Sequence, residues 1–413
     1  MRLVMLRPAC TVCTRSNALQ SISRKCFARG LTTNLQNRFD AAVIGAGPGG
    51  LTCVSNLLAQ GLKRVALIDP SFTGGRIHEK YREVPSNTKT KMFDAWAAGT
   101  EVSRRILAER TKRGEDAYKH LQSLDPEQGC SLGEAVDVAQ MLSRGFCEDA
   151  RVKPIKASVT QLQRNGDGYV LPELGVSAER VVLATGSHPR STDKALLERH
   201  PHLIELPLDL ALKPSLLKTS LSTPSTVALI GSSHSGILAL KNLYEQGHRV
   251  YNFYRSPLLH AEYKEGWILW DNTGLKGVAS DWAKATLEDE SRLPSNIKRI
   301  PLKTLDDKGK THNEADIYDR WLKDCTHIVS ATGYVGNPIP SITVDGEQVK
   351  PSFDPLSGRF LNEHKQALPG LFGSGIAYPE RVTDPEGHSS SNVGWFKFQK
   401  FVGRVAPEWV ARP

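Results

Sequence analysis

The sequence predicts an α/β protein made of two strand–turn–helix units, one nested inside the other. Three observations predict it. Residues 39–45 form a short apolar strand that runs into Gly45-Ala-Gly47-Pro-Gly49-Gly50 and then a helical stretch. Residues 225–230 form a second such strand, followed by Gly231-Ser-Ser-His-Ser-Gly236 and another helical stretch. Two further strands end in Ala-Thr-Gly, at Gly186 and Gly333, and they bracket the second unit. The chain therefore starts one unit, builds the other and returns.

The first turn has its strand before it, its helix after it, and Asp69 ending the next strand, nineteen residues past Gly50. This is the Rossmann-like dinucleotide-binding pattern. Gly45 permits the tight turn, Gly47 lets the backbone approach a pyrophosphate, and Gly50 lets the helix pack on the sheet. The helix N-terminus offers unpaired N–H groups to the phosphates. Asp69 is expected to bond the ribose hydroxyls of FAD.

In the second unit Ser233 replaces the middle glycine, between Gly231 and Gly236. The following strand, residues 248–255, ends in Arg255 where an acid would suit NADH. A cation there suits a 2′-phosphate, so NADPH is expected, with NADH as the alternative. Ala-Thr-Gly186 and Ala-Thr-Gly333 supply small-residue turns where a strand end meets something flat or charged. The expected organisation is an FAD domain over 38–200, an NAD(P) domain over 201–324 and the rest of the FAD domain over 325–413. The crossings are expected in the proline-rich stretch 201–224 and near Asp324.

Charge and cysteine usage narrow the function. The net charge of +9 looks like a nucleic-acid signal until it is located. Residues 1–39 hold seven of the 53 basic residues and no acid, so the rest carries 46 against 44, or +2. A nucleic-acid partner is rejected on this distribution. The acid-free, Arg- and Ser-rich start has the composition of a mitochondrial transit peptide. Residues 1–31 are therefore expected to be removed in the matrix, with Arg29-Gly-Leu31 resembling a processing site. No apolar run reaches the about 18 residues that a membrane span needs. Cys10 and Cys13 form a Cys-x-x-Cys, but inside this presequence. Cys53, Cys130, Cys147 and Cys325 are scattered, with no redox or metal spacing. No metal is expected.

Residues 74–93, GGRIHEKYREVPSNTKTKMF, are too specific for a linker. They are expected to run along the flavin, with Asn87 near its reactive edge. An amide there can donate and accept without titrating. The alternative is that Asn87 caps a helix starting near Thr88. Residues 267–277 are aromatic with polar tips and suit either a pocket or domain packing. Gly375 lies in a further glycine turn, Gly373-Ser-Gly375. His388 precedes an expected last helix, whose N-terminus would direct its dipole at the flavin pyrimidine. His388 is a candidate proton carrier there. His234 reads as structural or solvent-facing.

The order G-A-G-P-G-G, A-T-G-S, G-S-S-H-S-G and A-T-G-Y resembles the two-dinucleotide-binding-domain flavoproteins, the pyridine nucleotide-disulfide oxidoreductase-like superfamily. The likeness spans residues 38–413. Gly74-Gly75, Tyr81, Asn87-Thr88 and Met92-Phe93 stand in the order seen in flavin-containing monooxygenases. Ala331-Thr-Gly-Tyr334 resembles the motif shared with ornithine and lysine N-hydroxylases. The resemblance implies hydride transfer from NADPH to FAD, then oxygenation of a small-molecule substrate through a C4a-hydroperoxyflavin. The chain departs from the pattern at Arg76-Ile77, where a tryptophan is usual, and at Ser233. Two alternatives stay open: an NAD(P)H oxidoreductase passing electrons to a quinone or other small acceptor, and a low-turnover flavin-binding redox sensor.

Overall fold

The computed structural model describes residues 37–303 and 313–411. The expected presequence, residues 1–31 with its Cys10 and Cys13, lies outside the described residues.

Five strands form a parallel sheet in the order Ala367–Gly373, Val181–Leu183, Ala41–Ile44, Val65–Ile68, Val152–Ile155. Alternation along the central strands feeds two cores. Ala41, Val43, Val65 and Leu67 face the helices Pro48–Ala59, Leu132–Glu148 and Trp395–Val410. Ala42, Ile44, Ala66 and Ile68 face a third sheet through Leu162, Tyr169 and Leu171. Both faces are covered, which is why these strands read as unbroken apolar runs. Each fully buried Val, Leu or Ile side chain contributes roughly 1.5–3 kcal/mol.

A second parallel sheet has the order Ile204–Glu205, His327–Ser330, Thr226–Ile230, Arg249–Tyr254, Ile297–Pro301. Val227, Leu229 and Val250 pack on the helix His234–Glu245 through Ile237, Leu240 and Leu243. Ala228, Ile230 and Phe253 pack on the helix Glu314–Leu322 through Leu322.

The crossings differ from the expected ones. Ile204–Glu205 already belongs to the second sheet, and His327–Ser330 still does. The chain passes between the sheets at Ser187–Pro189 and Tyr334–Gly336, and these two segments pair antiparallel. Asn337 ties the crossing to the first Ala-Thr-Gly: its side-chain N–H donates to the Thr185 carbonyl (2.7 Å) and its backbone N–H to that of Gly186 (2.9 Å). Strand membership follows pairing, whereas the proline signals mark helix starts. Pro207 and Pro214 open the short helices Leu208–Ala211 and Pro214–Ser220.

Candidate active site

The two glycine turns are built alike. A Cβ on Gly45 would lie 2.3 Å from the Ala184 carbonyl oxygen, and one on Gly231 would lie 2.4 Å from that of Ala331. Both glycines have φ near +108°, at 109° and 107°. A Cβ on Gly50 would lie 1.8 Å from the Gly45 oxygen, and one on Gly236 would lie 2.7 Å from the Gly231 oxygen. Each Ala-Thr-Gly therefore seats its alanine carbonyl against the first glycine of a turn. That is why the four motifs occur in pairs.

Gly47 is different. Its φ and ψ, −75° and −179°, suit any residue, and a Cβ there meets nothing closer than the Gly74 oxygen at 3.9 Å. No protein contact requires a glycine. The open space lies before the N-terminus of the helix Pro48–Ala59 and is bounded by Gly74 and Gly75, whose φ values are 92° and 68°. Gly375 closes the helix side: a Cβ on Gly49 would lie 2.8 Å from its Cα. This cradle fits a dinucleotide pyrophosphate.

Asp69 is 7% exposed and already holds four donors. Its Oδ2 accepts from the Ala46 N–H (2.8 Å). Its Oδ1 accepts from the N–H groups of Ser71 and Phe72 (2.8 and 2.7 Å) and from the Ser71 hydroxyl (3.2 Å). The carboxylate thus fastens the turn to the loop after the second strand. Oδ2 keeps lone-pair capacity for a ribose hydroxyl.

The second turn opens on a cleft of about 1240 Å³ lined by Gly231, Ser233, Arg190, Arg255, Ser256 and Gly333, among others. Ser233 takes the place of Gly47 as the residue before the helix, and its side chain caps nothing. Arg255 stands in this cleft but is engaged: Nε and Nη2 donate to the two carboxylate oxygens of Glu314, each at 2.9 Å. Arg190, unflagged in the sequence, has no side-chain polar partner among the described residues, and its backbone N–H donates to the Gly333 carbonyl (2.9 Å).

The segment 74–93 runs from the first turn to the core. Asn87 lies exposed on the strand Pro85–Lys89, and the next helix, Thr90–Ala97, begins after Lys89. Asn87 is therefore not a helix cap; the strand pairs with Gly129–Ser131 instead. Its Oδ1 accepts from the Thr88 hydroxyl (3.2 Å), and its amide N–H groups have no partner among the described residues. The strand packs against the helices Thr90–Ala97 and Gly277–Thr286. Phe93 and Trp96 pack on Trp395 at 5.1 and 4.7 Å between ring centroids. Trp96 donates to Thr52 of the first-turn helix (2.8 Å). A Cβ on Gly277, which begins the helix Gly277–Thr286, would lie 3.4 Å from the Ser86 oxygen.

Arg76 explains the departure from the usual tryptophan. It donates to the Tyr81 hydroxyl (3.2 Å) and forms an ion pair with Asp209, to which Tyr81 also donates (2.6 Å). The Tyr334 hydroxyl lies beside those of Tyr81 and Ser235, and burial pushes the Tyr334 phenol up. One polar cluster thus joins the flavin side, the second turn and the second crossing.

A second junction uses the segment 267–277. Lys276 and Lys397 both donate to Asp271, at 2.7 and 2.6 Å. Lys397 also donates to Asn272 (2.6 Å), and Asn272 donates to Ser390 (3.0 Å). Burial pushes the Asp271 carboxyl up, but the two ammonium groups outweigh it and hold the group below its ordinary 3.8. Burial holds the Lys397 ammonium below its usual range. Trp270, at φ 59°, lies 4.0 Å from the His388 ring, centroid to centroid. His388 is at the turn of the hairpin Glu380–Thr383 and Ser389–Asn392, and its Nδ1 is 3.2 Å from Asp384. It shares no contact with Asn87. His234 is not solvent-facing: burial holds its imidazole down to about 4, and Lys276 adds to this.

A family model described as FAD-NAD(P)-binding matches residues 42–188. The "Monooxygenase AgnR1" of Paecilomyces divaricatus is 40% identical over 396 residues, which cover 90% of this chain and 98% of that protein. The chain belongs to this monooxygenase family. The ornithine N-hydroxylase of Kutzneria sp. 744 superposes with a TM-score of 0.55 at 14% identity, covering 90% of this chain and 99% of its own. The bacillithiol disulfide reductase of Staphylococcus aureus gives 0.51 at 12% identity, covering 90% and 98%. At these identities the likeness is one of fold, and an oxygenating and a disulfide-reducing enzyme share it.

Cys53, Cys130, Cys147 and Cys325 are all unpaired. Burial pushes the Cys53 thiol, on the first-turn helix, up to about 12, so no thiolate is available there. Among the described residues no His, Cys, Asp and Glu cluster could hold a metal ion.

Because only a ligand needs the space at Gly47, Gly47→Val is expected to fold with an unchanged melting temperature measured without flavin, yet to lose FAD. Full flavin absorbance in the purified variant would contradict the cradle. Asp271→Asn leaves two partly buried ammonium groups without their counter-charge and is expected to cost about 1–3 kcal/mol in denaturant melts. The folded Asp271 pKa is depressed, so its contribution is complete above 3.8 and is lost as pH falls below that value. The gap between wild type and variant should therefore close on acidification, and a gap constant with pH would refute the pairing.

Proposed function

We propose that the protein is an FAD- and NADPH-dependent monooxygenase that oxygenates a small molecule. The observation that carries this reading is identity of 40% to a monooxygenase across 98% of its length. The site supports it. The first cradle, with Gly45, Gly47, Gly50, Asp69, Gly186 and Gly375, would hold FAD. The second cleft, with Gly231, Ser233, Gly236, Arg255 and Gly333, would hold NADPH. FAD held there would supply hydride acceptance from the nicotinamide and electron transfer to oxygen.

The chain's own residues supply positioning and hydrogen bonds. The Arg76–Asp209–Tyr81 cluster with Tyr334 fixes one dinucleotide site against the other, which hydride transfer requires. Asn87 presents free amide donors from a strand held on three sides, so it is preorganised for the oxygen that has to be kept from escaping as peroxide. The Lys276–Asp271–Lys397 junction closes the site on the side of the last helix. His388, held by Asp384, is the proposed proton carrier at that edge.

The reductase alternative needs an electron acceptor in place of oxygen, and the cysteines among the described residues, all unpaired, give no support to its disulfide version. For location we propose the mitochondrial matrix, on the acid-free N-terminal composition alone. N-terminal sequencing of the protein isolated from its cells should begin near residue 32, and an intact start would contradict the address.

Asn87→Ala is expected to keep FAD and its rate of reduction by NADPH while releasing hydrogen peroxide in place of oxygenated product. Loss of one preorganised donor lowers the oxygenation rate by about 10²–10³. Asn87→Asp should be as poor, since a carboxylate only accepts. The measurement is the ratio of product to NADPH consumed. If that ratio is unchanged in both variants, Asn87 has no part in the chemistry.

A further inference from the structure

We propose that Glu314 sets the preference between NADPH and NADH, by holding the Arg255 guanidinium that a 2′-phosphate must claim. The inference rests on the second cleft being the NAD(P)H site. In such units the residue at the end of the second strand decides the choice: an acid accepts from the ribose hydroxyl of NADH, and a cation answers the phosphate of NADPH. Here the cation comes from that position, as Arg255 after Arg249–Tyr254. The acid comes from elsewhere, as the first residue of the helix Glu314–Leu322. Both line the same cleft with Ser233 and Ser256.

The pair is bidentate, with both bonds at 2.9 Å, so the fork that would grip a phosphate is already filled. It is also half in solvent: the side chains are 66% and 34% exposed. Such a pair is weak and can be parted by a doubly charged phosphate. Parting it leaves the Glu314 carboxylate beside the incoming dianion. Glu314 thus opposes NADPH twice, by occupying Arg255 and by like charge, while NADH brings no group that competes for the guanidinium. Of the other arginines in the cleft, Arg199 pairs with Asp319, and Arg190 has no side-chain partner among the described residues. Arg255 is the one whose availability a neighbouring element in the cleft controls from the strand end that reads the ribose.

The test is the dissociation constant of each coenzyme for the FAD-loaded protein, measured by calorimetry without oxygen. Glu314→Gln is expected to tighten NADPH by roughly three- to fivefold, the scale of an exposed charge pair, without tightening NADH. Arg255→Ala should weaken NADPH, and adding Glu314→Gln to it should recover only the like-charge part, less than the same change gains beside an intact Arg255. Equal changes for both coenzymes, weaker NADPH binding in Glu314→Gln, or a gain from Glu314→Gln as large without Arg255 as with it would each overturn the proposal. A Glu314 that only stabilises its helix would lower the melting temperature and leave the ratio of the two constants where it was, which also overturns it. Wild-type protein that binds neither coenzyme would instead refute the reading of the cleft itself.

Discussion

The structure depends on a contact between two backbones. In each unit the carbonyl of the alanine in Ala-Thr-Gly lies where the first turn glycine would carry its Cβ, at 2.3 Å for Gly45 and 2.4 Å for Gly231. Any side chain at either glycine would push the strand end away from the turn. The helix would follow, because Gly50 and Gly236 pack on the same turn oxygens. Each phosphate cradle is thus defined by where a neighbouring strand stops. The two stopping strands then leave their sheets and pair with each other at Ser187–Pro189 and Tyr334–Gly336. The geometry of one dinucleotide site is in this way transmitted to the other through a short antiparallel ladder.

Two polar junctions add further ties between segments distant in the sequence. Arg76, Asp209, Tyr81 and Tyr334 gather at the second turn, and Asp271 with Lys276 and Lys397 gathers at the start of the last helix. Both involve groups shielded from water, which sharpens their geometric demands more than it adds net stability. Asn87 stands exposed on the strand Pro85–Lys89, whose other residues are partly or fully buried. That strand is held by its pairing with Gly129–Ser131 and by the helices Thr90–Ala97 and Gly277–Thr286.

Much of the frame was legible in the sequence because its signals are local. A glycine turn between a strand and a helix, an acid nineteen residues on, and apolar runs of four or five residues all report on neighbours along the chain. What was not legible depends on partners far away. Arg76 looked like a departure until Asp209, 133 residues later, supplied its ion pair. Arg255 was placed correctly at the strand end, but nothing near it disclosed Glu314, 59 residues on. Lys397 and Asn272 are 125 residues apart. The crossings were misread for a related reason: prolines announce helix starts, whereas sheet membership is a matter of pairing. Asp69 stood at the expected strand end, yet its first duty is to hold Ala46, Ser71 and Phe72.

An enzyme that oxygenates its substrate differs from one that merely passes electrons in how its reduced flavin meets oxygen. The most direct measurement is rapid mixing of the NADPH-reduced protein with oxygenated buffer, followed by flavin absorbance at several oxygen concentrations. Two phases are expected, a first whose rate rises with oxygen and a slower second that does not, with peroxide appearing only in the second. A single oxygen-dependent return to the oxidised spectrum, with peroxide formed in step, would contradict it.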